Sequence, residues 1–508
     1  MALPPAVWHA ILVSTVCGGI YGYNSGIISG LGRSMIVCDF FPVVDPATGE
    51  PVNAVTTKQA MYQSFLTAEI LFGGVAGTFL GVPVANKHGR RIGLRLTGAI
   101  AALASLLGAF QNFWFVVVAR TFLGVGVGMT TVLAPLYAVE VSPPALRGRV
   151  GTVFQLAICF TIFAAYTVNY AFAPHYTTEA GATPKEFCVE TWKWRAQMSA
   201  GGIWGILLLI HSFFLPETEA WLELQDEKIG NDGISYQEIG ATSAHQSSKQ
   251  RSASRTDSGT RASPFTLNEE GDESESPWSV LFSSKGFKWA FLAFGLAASQ
   301  QLTGINAIIY YSPNILADAN VGNVLVMTLL VVGLWNFLSV FVAIALVDRL
   351  GRRPLMIAAL IGMTIALLIF AFAQWKVTDG SAKTAMSLTA IMLYLFSFET
   401  GPGALFFLIA SEIFPSSVRD VAMVFANALA WGGNIIITLA FPNLSTALGE
   451  AATFFLLAGI CVLSLVFTFT KLPETKGTEV VDHRKKSLLG RGDPDESLLT
   501  PAGVEWRK

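Results

Sequence analysis

NKHGRR, residues 86–91, and DRLGRR, residues 348–353, put the same charged turn into two long apolar runs. A single G-R-R is common and says little alone. Here it has company: EVSPPALRGR (140–149) is answered by EIFPSSVRDV (412–421), and LPET from residue 215 by LPET from residue 472. The order is the same in both sets, and the offset stays near 260 residues. Three matched pairs at a near-constant offset mean that one unit is present twice.

Each unit is built for lipid. The chain of 508 residues is 52% hydrophobic and 13% charged, with a mean hydropathy of +0.53. A soluble domain is about 25% charged, so this chain lacks the polar surface to wet a globule of its size. Its apolar residues fall into separate blocks, each near the ~20 residues that cross a bilayer as a helix. The blocks lie at 8–30, 61–85, 93–112, 114–138, 150–172 and 196–215, then at 287–315, 323–347, 354–375, 385–410, 421–441 and 452–471. The expected fold is therefore an all-α membrane protein, twelve transmembrane helices in two pseudo-symmetric six-helix bundles. The first apolar run lacks a basic flank and a small-residue cleavage site, and reads as the first span.

Lys87, Arg90, Arg91 and Arg95 crowd one short loop, and Arg349, Arg352 and Arg353 another. Both fall on one side if the helices alternate, and the positive-inside rule makes that side cytoplasmic. Lys185, Lys193 and Arg195 run against this bias. An even number of spans puts both termini in the cytoplasm. The net charge of −2 points to no nucleic-acid partner. The division expected is 1–217, a six-helix bundle; 218–285, a linker; 286–475, a second bundle; and 476–508, a tail. PETEAWLELQDEK opens the linker as a short amphipathic helix. The Ser-, Thr- and Gly-rich remainder, like the tail, cannot bury enough apolar surface to order itself. Ser254, between Arg251 and Arg255, is either a phosphoacceptor or simply part of that solvated linker.

Cys17, Cys159 and Cys461 lie inside apolar blocks and read as small core residues. Cys38 and Cys188 fall in the two longest outside loops, where an oxidising environment permits a disulfide. Two unpaired thiols are the alternative, since sequence does not supply the Cα spacing.

The repeated loops set arginines beside carboxylates at helix ends. Glu140 with Arg147, and Glu412 with Arg419, are placed to bridge neighbouring ends. Exposed pairs are worth about 0–1 kcal/mol, which suits a gate that closes in one conformation and breaks in another. Simple topological anchoring is the other reading. Inside the blocks, polar residues are costly and normally face a bundle interior or cavity. Gln155, Gln300, Gln301, Asn306, Asn336, Glu399 and Asn434 are such residues, with Tyr310 and Tyr311 beside them. Amides both donate and accept hydrogen bonds, as an uncharged polyhydroxyl ligand requires. Interhelical bonding is the competing account of any one amide, whereas a polar cavity accounts for the set.

The motifs GYNSGIISG (22–30), NKHGRR, PLYAVEVSPPALRG (135–148), QQLTGINAIIYYSP (300–313), DRLGRR, GPGALFFLIASEIFP (401–415) and LPETKG (472–477) occur in this order. In them the chain resembles the sugar porter family of the major facilitator superfamily, over its whole length apart from the linker and tail. The resemblance implies alternating-access transport of a monosaccharide. It also implies that Gln155, Gln300, Gln301, Asn306, Asn336, Glu399 and Asn434 are sugar-binding positions, that Tyr310 and Tyr311 are gating aromatics, and that Arg90, Arg91, Arg352 and Arg353 join the cytoplasmic gate. One departure stands out. The family commonly has Trp shortly after the GPG of the tenth helix, where this chain has Phe407. Phe keeps an apolar face for a pyranose ring but loses the indole N–H.

Proton-coupled relatives carry an aspartate in the GY-x position of the first helix, paired with an arginine on the fourth. This chain resembles them at Arg120 but has Asn24 in the aspartate's place. An amide has no proton to exchange near neutral pH, so uniport is the simplest inference. Glu69 lies in the outer half of the second span, as Arg120 does in the fourth, and is a candidate substitute for the missing charge. Three functions are carried forward: a facilitative hexose transporter of the plasma membrane, with D-glucose the foremost substrate; a proton-coupled sugar or polyol symporter; and a non-transporting sugar sensor. No phosphate loop, metal-ligand cluster or nucleophile–base pair stands out, so no enzyme, cofactor or metal is expected. Asn443-Leu-Ser is a glycosylation sequon close to the bilayer, and DESLL near the C-terminus is one residue short of an acidic dileucine sorting signal.

Overall fold

The computed structural model describes residues 4–41, 57–143, 146–172, 191–222, 225, 277–284, 286–319, 321–414 and 418–476. Among these no strand occurs. The first half contains α1 (Pro5–Ser34), α2 (Thr57–His88), α3 (Arg90–Leu107), α4 (Phe113–Val141), α5 (Arg147–Phe172) and α6, in two pieces (Thr191–Ala200 and Gly202–Ser212). In the second half α7 is broken into Phe287–Gln301 and Ile305–Asp318. There α8 runs through Val324–Met327, a π-helical stretch Thr328–Leu334 and Trp335–Leu350, and α9 is Arg352–Lys376. Next, α10 comprises Gly380–Phe398, a π-helical stretch Glu399–Gly403 and Ala404–Ile413; α11 is Arg419–Leu448 and α12 is Glu450–Lys471.

Ten of these segments are long and apolar enough to cross a bilayer, against the twelve expected. The two that fall short are α3, whose 18 residues include Arg90, Arg91 and Arg95, and α6, which is divided at Gly201. Both stand where the apolar blocks 93–112 and 196–215 predict helices, and they pack against each other.

The glycine of each G-R-R explains why the motif is there. Gly89 (φ +98°) and Gly351 (φ +91°) sit between antiparallel helices in a conformation that side chains disfavour. Glu217 and Glu474, the acids of the two LPET segments, crowd the positions where a Cβ would project.

Packing follows the duplication. In the first half α1 lies on α5, α2 on α4, and α3 on both α4 and α6. In the second half α7 lies on α11, α8 on α10, and α9 on both α10 and α12. Between the halves α2 meets α11, α5 meets α8, and α1 meets α7, a pattern that maps onto itself when the halves are exchanged. The closest contacts use glycine. A Cβ on Gly22 of α1 would stand 2.2 Å from the Ile158 carbonyl oxygen of α5, and one on Gly77 of α2 would stand 2.0 Å from that of Val125 of α4. Small residues let backbones approach where lipid supplies no hydrophobic drive between helices. The outer surface is apolar instead: Phe214 is 72% and Leu463 71% exposed, which water would disfavour and lipid accepts.

Residues 219–222 are helical. Segment 226–276 with Ser254, the tail beyond residue 476, Cys188 and the side chain of Cys38 lie outside the described residues. Asn443 lies within α11 and donates Nδ2 to the Leu439 carbonyl (2.9 Å).

Candidate functional site: a polar cavity between two helical bundles

Broken helices build the site. In α7 the first piece ends at Gln301, and Gly304 (φ +100°) turns the chain before Ile305 restarts it. The Tyr394 hydroxyl of α10 donates to the freed Thr303 carbonyl (3.0 Å). Inside a bilayer such an interruption is tolerated where the backbone is buried or lines a cavity. The break turns Asn306 back toward Gln301: its Nδ2 donates to Gln301 Oε1, and Gln301 Nε2 donates to Gln300 Oε1 (3.4 Å). A second break, at Gly401 (φ −124°, ψ −106°) and Pro402 of α10, follows directly on Glu399. The π-helical stretch of α8 ends just before Asn336.

These interruptions face one cavity between the halves. Its volume is about 60 Å³, enough to hold water. Gln155 of α5 donates Nε2 to Glu399 Oε2 across the interface (3.1 Å). The Cys159 thiol donates to Glu399 Oε1 (3.3 Å) and accepts from Asn336 Nδ2 (3.4 Å). Phe407 meets Phe154 edge to face at 5.4 Å, and Trp431 leans on Tyr21 at 5.3 Å. The wall is thus a ring of amides and one carboxylate, with aromatic faces from both halves.

Gln155, Gln300, Gln301, Asn306, Asn336, Glu399 and Phe407 all line the cavity. Asn434 stands outside the lining, fully buried, and its Oδ1 accepts from Thr438 (3.1 Å). Tyr310 and Tyr311 are likewise buried behind the wall; Tyr311 donates to the Thr438 carbonyl (2.9 Å) and stacks on Phe441. Cys159 is buried, as a core residue would be, and it also lines the cavity. Cys17 and Cys461 are core, and Cys159 has polar partners. Asn427 and Trp431 of α11 also line the wall and were missed. Their signal in the sequence is the interval of four, which sets Asn427 and Trp431 on one face of a helix.

The ion pair expected beside Asn24 exists without Asn24. Arg120 Nε donates to Glu69 Oε1, and both side chains are 1% exposed. Asn24 instead donates Nδ2 to the Ile20 carbonyl of its own helix (2.8 Å). Arg120 Nη1 contacts Met198 Sδ (3.7 Å). The pair does not line the cavity.

At the opposite helix ends, Glu140 pairs with Arg90. Arg90 Nη2 and Nε donate to its two oxygens at 2.6 and 2.9 Å. Glu412 pairs with Arg352 in the same two-pronged way, at 2.9 and 3.2 Å. The side chains of Arg147 and Arg419 lie outside the described residues. The geometry has a cause: each G-R-R starts a helix, and its first arginine turns back onto the preceding interhelical groove. Glu217 and Glu474 were overlooked, although LPET was seen to repeat. Glu217 accepts from the backbone N–H groups of Arg90 (2.8 Å) and Arg91 (3.3 Å), and Glu474 from those of Arg352 (2.9 Å) and Arg353 (3.1 Å). A carboxylate there satisfies free amides and meets the positive end of the helix dipole. Arg91 and Arg353 donate to the carbonyls of Phe213 (3.3 Å) and Phe469 (2.7 Å). Every one of these bonds stays within one half.

A family model described as Sugar (and other) transporter matches residues 10–483. The glucose transporter GlcP of Staphylococcus epidermidis is 30% identical over 491 residues, covering 95% of this chain and 98% of that protein. The facilitated glucose transporter member 3 of solute carrier family 2, from Mus musculus, is 28% identical over 506 residues, covering 99% and 96%. Among solved structures, the proton:xylose symporter XylE bound to 6-bromo-6-deoxy-D-glucose superimposes with a TM-score of 0.70. It is 23% identical, over 93% of this chain and 97% of that one.

Proposed function

Because the chain belongs to the Sugar (and other) transporter family, we propose that it carries a hexose such as glucose across the plasma membrane by facilitative alternating access. The two units that rock are residues 1–217 and 286–475, joined by a linker at 218–285 and followed by a tail at 476–508, with both termini cytoplasmic. The observation that carries this reading is the cavity, in which amides from both halves face one shared space. Sugar hydroxyls donate and accept at once, as these carboxamides do.

In this mechanism the sugar replaces cavity water and bridges Gln155 of one half to Gln300, Gln301, Asn306, Asn336 and Glu399 of the other. Phe407 offers the ring an apolar face. Bridging favours the state in which both halves close on the ligand, and release on the other side completes the cycle. Asn434, Tyr310 and Tyr311 support this wall from behind, the tyrosines moving with the second piece of α7 as a gate. The Arg90–Glu140 and Arg352–Glu412 pairs brace the cytoplasmic end of each bundle, so that each turns as a rigid unit.

Asn24 supports uniport. The buried Glu69–Arg120 pair favours a second reading, proton-coupled uptake of a sugar or polyol, in which Glu69 carries the proton. Net uptake of labelled glucose into liposomes, with and without an imposed proton gradient, separates the two. Facilitated transport gives uptake that neither the gradient nor a protonophore changes, and competition by fructose, galactose and inositol ranks the substrates. Uptake that collapses with the proton gradient, with sugar-induced alkalinisation lost in Glu69→Gln, would replace uniport with symport. Binding without flux would leave a sensor.

A further inference from the structure

The Cys159 side chain touches three of the polar groups in the cavity wall. Its thiol donates to Glu399 Oε1 (3.3 Å), and its sulfur accepts from Asn336 Nδ2 (3.4 Å) and Gln155 Nε2 (3.5 Å). It thereby ties α5 to α8 and α10, one half to the other. Asn336 has been left unsatisfied in turn. It is 1% exposed, lines the cavity, and its Oδ1 has no hydrogen-bond partner among the described residues. A thiol is a weak donor and its sulfur a weak acceptor. A hydroxyl group does both jobs better, and offers Asn336 Oδ1 a proton as well.

We infer that Cys159 is an affinity- and specificity-determining residue of the sugar site, a weak stand-in that holds Glu399 and Asn336 in the empty cavity and yields them to a hydroxyl of the incoming hexose. This rests on the transporter reading above. The ordering of bond strengths gives the inference its direction. Each bond the thiol makes in the empty state must be exchanged for a sugar bond, so sugar affinity reflects the difference between the two. Removing the thiol leaves Glu399 Oε1 without that donor in the empty cavity but not in the occupied one, so binding tightens. The same placement makes Cys159 a modification site. A small neutral thiol reagent such as methyl methanethiosulfonate would form the S–SCH₃ disulfide there, releasing methanesulfinic acid, and fill the space a hexose needs.

The test uses the full chain in liposomes. Cys159→Val has a side chain of similar size with neither donor nor acceptor, and its KM for glucose counterflow falls about two- to tenfold. Cys159→Ser, whose hydroxyl holds Glu399 and Asn336 more strongly in the empty cavity, raises it by a similar factor. Methyl methanethiosulfonate inhibits the parent, glucose protects it, and Cys159→Val is resistant. A KM in Cys159→Val equal to or above the parent's overturns the inference, as does inhibition that persists in that variant. A parent that carries no hexose overturns the transporter reading and takes this inference with it; a transporting parent with an indifferent Cys159→Val overturns this inference alone.

Discussion

Gln301 and Asn306 are five residues apart, on either side of the Gly304 turn, and bonded to each other. They are buried (7% and 8% exposed), so a sugar hydroxyl lost from either is not replaced by bulk water. Gln301→Ala and Asn306→Ala should each weaken hexose binding by about 1–3 kcal/mol, read as a rise in Kd or counterflow KM. Unchanged affinity in both would make the amides scaffold. Glu69→Gln tests a different kind of residue. It leaves Arg120 as a buried charge without its counter-ion, and breaking such a pair costs about 3–5 kcal/mol. The thermal midpoint of Glu69→Gln in detergent should drop clearly. Glu69→Gln combined with Arg120→Met should recover most of that loss, since replacing a buried pair with uncharged side chains is often nearly neutral. A double variant as unstable as the single one would show that the loss comes from packing.

Helix starts and breaks are the elements on which the site depends, and glycine sets several of them. Gly89 and Gly351 hold positive φ at equivalent places in the two halves, where an L side chain costs about 1–3 kcal/mol. A Cβ there would also meet the capping carboxylates of Glu217 and Glu474. Gly89→Ala and Gly351→Ala should therefore destabilise the protein by at least that amount, and to similar extents, in thermal melts. A loss confined to one of them would break the equivalence of the halves. The G-R-R motif was legible because its three residues are contiguous. The partner of each arginine was not, because Glu140 is 50 residues from Arg90 and Glu412 is 60 from Arg352. Nothing local distinguishes these pairings from the nearer Glu140–Arg147 and Glu412–Arg419 alternatives. The place of Asn434, behind the cavity wall, was not legible for a related reason. A helix interior offers two buried faces, one to the cavity and one to a neighbour, and an amide at either looks the same in sequence.

Across the whole molecule, the interface between the halves is where energy can be exchanged for motion. The Tyr166 hydroxyl of α5 donates to the Ile309 carbonyl of α7 at 2.7 Å, and Gln155 reaches Glu399 from one half to the other. Losing a bond of this kind costs about 0.5–1.5 kcal/mol, or a two- to tenfold shift between conformers that differ in it. Tyr166→Phe should thus shift the population toward molecules separated at that end of the bundle. Spin labels on the exposed residues Tyr170 of α5 and Leu330 of α8 would report it as growth of a longer-distance component. A distance distribution identical to the parent's would place the hinge elsewhere.

Much of this protein is legible along the chain. The apolar blocks, the duplicated charged turns and the amides within the blocks are local patterns, and lipid enforces them residue by residue. A span must be apolar, its ends must carry the charge, and a polar group inside must find a partner. Which partner it finds is a matter of three-dimensional packing. Only the assembled bundles decided that Cys159 faces a cavity while Asn434 stands behind it, that Arg90 turns to Glu140, and that Glu69 reaches Arg120 while Asn24 bonds its own helix. Each of those outcomes depends on how helices far apart in sequence rotate about their axes to let glycine-lined backbones touch, and no single segment contains that angle.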